Sequence, residues 1–226
     1  MSAGTFPMAV TPAYAARLSV DYPEHLDRLT TFFRLIWIIP IAIIYGLIAG
    51  AGQTVTNTII LNEAGEVLDR TRNTVGSLMG GLAAATALMI IVQQHYPRWW
   101  FDFARELTRF GYRVGAYLLL LTDKYPSTVD EQAVHVEIDY PDVEHDLNRW
   151  MPLVKWVLAI PHYLILGVLG IAVFFVVIIA WFAILITGQY PKSLFDFVVG
   201  VGRWGLRVNA YTSLLVTDRY PPFSFE

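Results

Sequence analysis

Cysteine is absent from this sequence, which excludes disulfides, iron-sulfur ligation, a thiol nucleophile and palmitoylation. Charge is scarce as well: 15% of residues are Asp, Glu, Lys or Arg, against roughly 25% in an ordinary soluble domain. A net charge of -3 argues against nucleic acid as a partner. No G-x-S-x-G, H-E-x-x-H, kinase set or dinucleotide fingerprint occurs. No residue is therefore assigned a catalytic role, and no cofactor is expected. Gly50-Ala51-Gly52-Gln53-Thr54 has the glycines of a phosphate loop without its lysine or a preceding strand. Met1 to Asp27 holds no apolar run of signal-peptide type, so the first hydrophobic helix reads as an uncleaved anchor.

What is present is apolar. Of 226 residues 55% are hydrophobic, a balance that reads as a membrane protein. The chain also repeats itself. Tyr96-Pro97, Phe101-Asp102-Phe103, Arg109, Gly111, Arg113 and Tyr117 return as Tyr190-Pro191, Phe195-Asp196-Phe197, Arg203, Gly205, Arg207 and Tyr211 at an offset of 94. Thr122-Asp123-Lys124-Tyr125-Pro126 returns as Thr217-Asp218-Arg219-Tyr220-Pro221 at an offset of 95. Upstream, Arg28, Arg34 and Pro40 match Arg149, Lys155 and Pro161 at an offset of 121. The difference between the offsets lies in a polar stretch, residues 51 to 74, which the second copy lacks.

This pattern predicts a mainly α, integral membrane protein of two tandem repeats. Each is a transmembrane helical hairpin followed by an amphipathic interfacial helix on the cytoplasmic side, with short β elements between repeats. Residues 1-20 form an N-terminal arm with a short strand. Repeat 1 takes 21-126, with transmembrane segments at about 31-50 and 75-94, an external loop at 51-74 and an amphipathic helix at about 99-121. Residues 127-138 form a linker with a strand, Val134 to Ile138. Repeat 2 takes 139-226, with an amphipathic helix at about 194-216. Its apolar run, Leu153 to Thr187, makes one helix of about 52 Å, too long for a bilayer core of about 30 Å. It is therefore expected to fold back at Gly167 and Gly170 as a hairpin over about 153-187. Pro40 and Pro161 are expected to kink their helices.

With two crossings per repeat, fourteen Lys and Arg residues fall on one side and only Arg70 and Arg72 on the other. Cytoplasmic flanks attract basic residues, so both termini are placed in the cytoplasm of a multi-pass chain in the bacterial cytoplasmic (inner) membrane. A transporter of inverted repeats needs three crossings per repeat, which the charge count disfavours.

On a helix, Asp102, Glu106, Arg109, Arg113 and Tyr117 form one stripe, and Asp196, Gly200, Arg203, Arg207 and Tyr211 form its match. The paired arginines Arg109, Arg113, Arg203 and Arg207 are candidates to grip lipid phosphates or another anion. The competing reading makes them a docked or solvated face, neutralised by the acidic linker. Gly46, Gly50, Gly76 and Gly80 form small-residue rows suited to close helix packing. Asp142, Glu144, His145 and Asp146 lack the spacing of any recognised metal loop, so no metal site is assigned. His162 lies in an apolar run and reads as a packed or hydrogen-bonded histidine, because its counterpart in the first copy is Ile41.

The second copy resembles a bacterial membrane family known as a domain of unknown function. The residues that carry the likeness include Lys155-Trp156, Ile160-Pro161-His162-Tyr163, Ala180-Trp181-Phe182, Gly188-Gln189-Tyr190-Pro191, Arg203-Trp204-Gly205-Leu206-Arg207 and Thr217-Asp218-Arg219-Tyr220-Pro221. The resemblance covers about 139 to 223, with a more divergent copy at 21 to 126. It implies a bacterial integral membrane protein and imports no activity. The leading expectation is a non-catalytic membrane scaffold or accessory subunit. Its partners are membrane lipids and either other membrane subunits or further copies of itself. The competing expectation is an anionic-lipid or small-anion handling protein.

Overall fold

The computed structural model describes residues 14-50, 55-61, 67-74, 78-128, 130 and 132-226. In chain order they form β1 (Ala16–Val20), α1 (Arg28–Gly50), β2 (Val55–Leu61), β3 (Val67–Thr74), α2 (Leu78–Gln93) and α3 (Arg98–Leu118). There follow β4 (Val134–Ile138), α4 (Val143–Asp146), α5 (Met151–Leu158), α6 (Ile160–Thr187) and α7 (Lys192–Thr212). The protein is mainly helical.

The alternating segments on either side of the first amphipathic helix pair with each other. β1 and β4 form an antiparallel ladder in which Ala16 faces Ile138, Leu18 faces Val136 and Val20 faces Val134. Their alternation buries Ala16, Leu18, Val134, Val136 and Ile138 and leaves Arg17, Ser19, His135 and Glu137 exposed, as a ladder with one wet face requires. α7 packs on β1 and α3 on β4. The main core lies between them: Phe101, Ala104, Val198, Val199, Leu206 and Leu215 meet the inner face of the ladder and the ends of α2 and α6. Each fully buried side chain of this size stabilises the fold by about 1.5–3 kcal/mol. A smaller cluster, Ile38, Ile41, Phe110, Val114 and Tyr117, joins α1 to α3.

Two expectations change. The polar stretch after α1 is not all loop: β2 and β3 pair antiparallel, from Val55 opposite Thr74 to Leu61 opposite Val67. Its β-branched run Val55-Thr56-Asn57-Thr58-Ile59-Ile60 fits a pleated surface. The fold-back at Gly167 and Gly170 does not occur, because Ile160–Thr187 is one unbroken helix. A lone glycine lowers helix propensity by about 1 kcal/mol but removes no hydrogen bond, and no proline or polar run stands beside these two to end the helix. The break falls earlier, at Ala159 between α5 and α6, two residues before Pro161.

Among the described residues one helix, Ile160–Thr187, is long and apolar enough to cross a membrane, its most apolar 18-residue stretch having a mean hydropathy of 3.1. A second qualifies if α1 counts as one span, although Arg28–Arg34 and Ile36–Leu47 are bent by 52°. Pro40 stands four residues beyond Ile36, where its ring meets the carbonyl of the preceding turn. The apolar helix Gly80–Gln93 is shorter.

Candidate functional site

α3 and α7 end alike, and each end builds a polar node inside an apolar surround. The chain leaves each helix through a leucine in the left-handed region, Leu120 at φ 65° and Leu215 at φ 57°. For a residue with a Cβ that conformation costs roughly 1–2 kcal/mol, and it is held because both leucines are buried. The turn delivers Thr122-Asp123 and Thr217-Asp218 to a cation on the preceding hydrophobic helix. Arg34 donates to the carbonyls of Tyr117 at 2.9 Å and Thr122 at 2.7 Å, and to the Asp123 carboxylate. Lys155 donates to the Thr217 carbonyl at 2.8 Å and lies 2.7 Å from Asp218 Oδ1. Each cation also sits over an aromatic face, Arg34 over Tyr117 at 4.4 Å and Lys155 over Tyr211 at 5.1 Å.

The free carboxylate oxygens are used in the same way. Asp123 Oδ2 accepts from the backbone N–H of Asp27 at 2.6 Å, and Asp218 Oδ2 from that of Asn148 at 2.6 Å. Arg34 and Lys155 are 2% and 1% exposed, so each charge depends on its carboxylate and carbonyls for compensation. Sequence reading marked both cations as matched positions without assigning them partners. The signal was available in the recurring Thr-Asp-x-Tyr-Pro, which places a carboxylate just after each amphipathic helix, behind each matched cation.

The four arginines proposed for anions lie on their expected stripes, and each gives at least one donor to a backbone carbonyl, although Arg113 Nε and Arg207 Nε are buried without a hydrogen bond. Arg109 Nε donates to the carbonyl of Val136 at 2.8 Å, and Arg203 Nε to that of Leu18 at 3.0 Å. These two carbonyls belong to the facing pair at the centre of the β1/β4 ladder, so each arginine clamps the strand against its helix. Arg113 donates to the Ser127 carbonyl at 2.6 Å, and Arg207 to the carbonyls of Ser224 and Glu226. Burial lowers the affinity of the Arg207 guanidinium for its proton relative to a free arginine. The acidic linker instead meets Arg17, which pairs with Glu137 at 3.1 Å and Asp139 at 3.0 Å. Arg17, Arg203 and Arg207 line an open recess of about 260 Å³ with Tyr14.

His162 is fully buried and accepts a hydrogen bond from Trp204 Nε1 on Nδ1 at 3.0 Å. Phe223 stacks on its ring at 4.1 Å. It is packed, as the sequence suggested. Asp142 caps α4 and holds His145 Nδ1 at 2.9 Å. Among the described residues no group of three or more His, Asp or Glu is placed to hold a metal ion.

Of the helix-packing glycines, two have described surroundings. A Cβ on Gly46 would meet nothing within 4 Å, and Gly80 is exposed. Gly76 lies outside the described residues, and Gly50 is described only as the last residue of α1. The close approaches are elsewhere: a Cβ on Gly111 would lie 2.6 Å from the Tyr45 hydroxyl, and one on Gly200 would lie 2.8 Å from Phe225 Cβ.

A half-open cavity lies between α3, α7 and the β1/β4 ladder, with Tyr45 of α1 at its side; its volume is about 260 Å³. Its walls are aliphatic side chains and the backbones of Gly111, Gly115 and Gly202, with Tyr112 and Asn209 among them. Burial raises the Tyr112 phenol well above its ordinary range, so the hydroxyl stays protonated and able to donate.

Fold and sites together define a mainly helical protein with a candidate membrane helix and two buried cation-carboxylate nodes. Within it, residues 149–224 match the family described as "Domain of unknown function (DUF4389)". That match takes in α5, α6, α7 and the Lys155 node, and does not include the 21-126 region. Neither a curated protein nor a solved structure matches the chain.

Proposed function

We propose that this protein is a non-catalytic integral membrane scaffold or accessory subunit, built from two tandem copies of one unit, in a bacterial cytoplasmic membrane. The observation that carries the reading is the bareness of α6: it has 28 residues, and its most apolar 18-residue stretch has a mean hydropathy of 3.1 with only 17% buried within the chain. Ile171, Phe174, Phe175, Ile179, Phe182 and Ile186 all stand exposed on it, as do Ile36, Trp37, Ile43 and Leu47 on α1. Such a surface is covered by lipid or by other helices. The duplicate reading is supported by contacts that recur between matched positions of the two halves. They include the two nodes, the two arginine clamps on the ladder, and the hydroxyls of Tyr22 and Tyr140 on the carbonyls of Tyr190 and Tyr96.

The cysteine-free chain makes topology directly measurable. With Thr71→Cys and Ser213→Cys introduced singly, a membrane-impermeant maleimide is expected to label position 71 from outside intact cells and position 213 only after permeabilisation. Equal labelling of both from outside would remove the cytoplasmic placement of the termini. Native mass after gentle extraction tests the scaffold: a bare monomer without protein partners would end that reading.

The lipid- or anion-handling reading keeps one observation, the recess lined by Arg17, Arg203 and Arg207. Arg203→Gln with Arg207→Gln is expected to abolish binding to phosphatidylglycerol vesicles if that reading holds, and unchanged binding would dismiss it.

A further inference from the structure

The geometry points to the cavity between α3, α7 and the β1/β4 ladder as a binding site for an uncharged lipophile that carries carbonyl oxygens on a flat ring, of the quinone type. At about 260 Å³ the cavity is near the small end of ligand pockets, roughly 300 Å³ and upward. It is larger than the roughly 150 Å³ that holds a benzene ring. A single substituted ring therefore fits inside, with any tail projecting through the open side.

The lining selects the chemistry. Among the described residues no charged side chain borders the cavity, so an ionic ligand would be left there without a counter-charge. Three side chains bring hydrogen-bonding groups to its wall that make no hydrogen bond among the described residues: the hydroxyls of Tyr45 and Tyr112 and the amide of Asn209. Thr108 is different, since its hydroxyl is already used on the Ala104 carbonyl at 2.8 Å. The phenols and the amide can all donate to carbonyl oxygens, which is the role left open to them. Gly115 presents bare backbone with open space beside it, whereas Tyr45 and Leu18 cover Gly111 and Gly202, and a flat ring can approach the wall closely at Gly115. Apolar walls with a few convergent polar groups are the usual make-up of a small-molecule site.

The cavity also marks a difference between the two halves of the chain. Gly115 has Asn209 as its counterpart, and a Cβ on Gly115 would meet nothing within 4 Å. The space beside this glycine is the cavity itself, so a larger side chain there closes the site without a clash at its first atom. The bilayer is the source of such a ligand, and to that extent the inference rests on the membrane reading above. Binding in detergent micelles does not depend on it, so a failed topology experiment and a failed binding experiment are separate results.

The test titrates the purified full chain in dodecyl maltoside with ubiquinone-1, a neutral ring with two carbonyls, and in parallel with decanoate, an anion. The wild-type protein is expected to bind ubiquinone-1 saturably, one per chain, and to show no saturable decanoate binding. Gly115→Leu is expected to weaken ubiquinone-1 by at least about tenfold with an unchanged melting temperature, and Tyr112→Phe by a few-fold. Absence of saturable binding, equal affinity in Gly115→Leu, or preference for decanoate would each overturn the proposal. Should Gly115→Leu lower the melting temperature, Tyr112→Phe decides, since it keeps the ring and removes only the hydroxyl; unchanged affinity there also overturns it.

Discussion

The node around Arg34 and the node around Lys155 solve one problem with different cations. Both bury a positive charge at the base of a hydrophobic helix, and both answer it with the carboxylate and carbonyls of a Thr-Asp turn. The guanidinium reaches two carbonyls and the carboxylate through its planar fork, whereas the ammonium reaches one of each. The difference teaches that the carboxylate is the part both nodes require, and that the number of carbonyls engaged follows the shape of the cation. It also separates the nodes in how they would fail.

Removing a carboxylate should have the largest effect. Asp123→Asn and Asp218→Asn each strip a buried charge of its partner, which typically destabilises by about 3–5 kcal/mol. A lysine left alone can give up its proton and an arginine cannot. Asp123→Asn is therefore expected to lower the melting temperature in detergent more than Asp218→Asn does, and the reverse order would show that the two nodes are not equivalent.

Next come the clamps on the ladder. Arg109→Gln and Arg203→Gln each remove a charged donor from a carbonyl at the ladder's centre, at roughly 1.5–3 kcal/mol. Because Val136 and Leu18 face each other, denaturant midpoints should fall by similar amounts. If only one variant loses stability, the ladder is held from one side.

A smaller effect is expected where the two inter-helix turns differ. Gln94 has φ 45° and Gly188 has φ 77°, at matching positions before α3 and α7. Glycine adopts this region freely and glutamine does not. Gln94→Gly should stabilise by up to about 1 kcal/mol and Gly188→Ala should destabilise by a similar amount, read from thermal melts. Equal and opposite shifts would confirm that the turns are interchangeable.

The smallest effect is the pH response of Asp142 and His145, whose counterparts in the first half include no such pair. The Asp142 carboxyl is held below the usual carboxylate range by its hydrogen bond from His145, and His145 is raised above the usual imidazole value by Asp142. The lowered carboxyl favours folding above the ordinary carboxylate pKa and loses that contribution as pH falls through its own depressed value. The raised imidazole favours folding below the ordinary histidine value and loses that contribution as pH rises through its own elevated one. NMR titration should show His145 above the ordinary value, returning to it in Asp142→Asn. An unmoved titration would show that the pair is not formed in solution.

Much of the local structure was legible in the residues. The alternation of Ala16 to Val20 and Val134 to Ile138 marked two strands, and stripes at three and four residues marked α3 and α7. The β2/β3 hairpin was missed although its β-branched run signalled it, because polarity was read as loop. The fold-back of α6 was inferred from length alone, and a run of apolar residues has no local feature that separates a bent path from a continuous helix. The arginine stripes were seen correctly, but their function depended on what lay opposite, and those partners are 14 to 185 residues away along the chain.

The sequence by itself determined the periodicities, the repeated spacing, the kinking prolines and the absence of any thiol chemistry, because each of these acts within a few residues. Tertiary structure alone decided that β1 pairs with β4, that Arg109 and Arg203 close on that ladder, and that Arg34 and Lys155 find the carboxylates behind α3 and α7. It also decided that an apolar cavity lies between the two amphipathic helices. Hydrogen-bond acceptors are nearly identical from one backbone carbonyl to the next, so a side chain's partner is chosen by which carbonyl the packed fold leaves within about 3 Å of it.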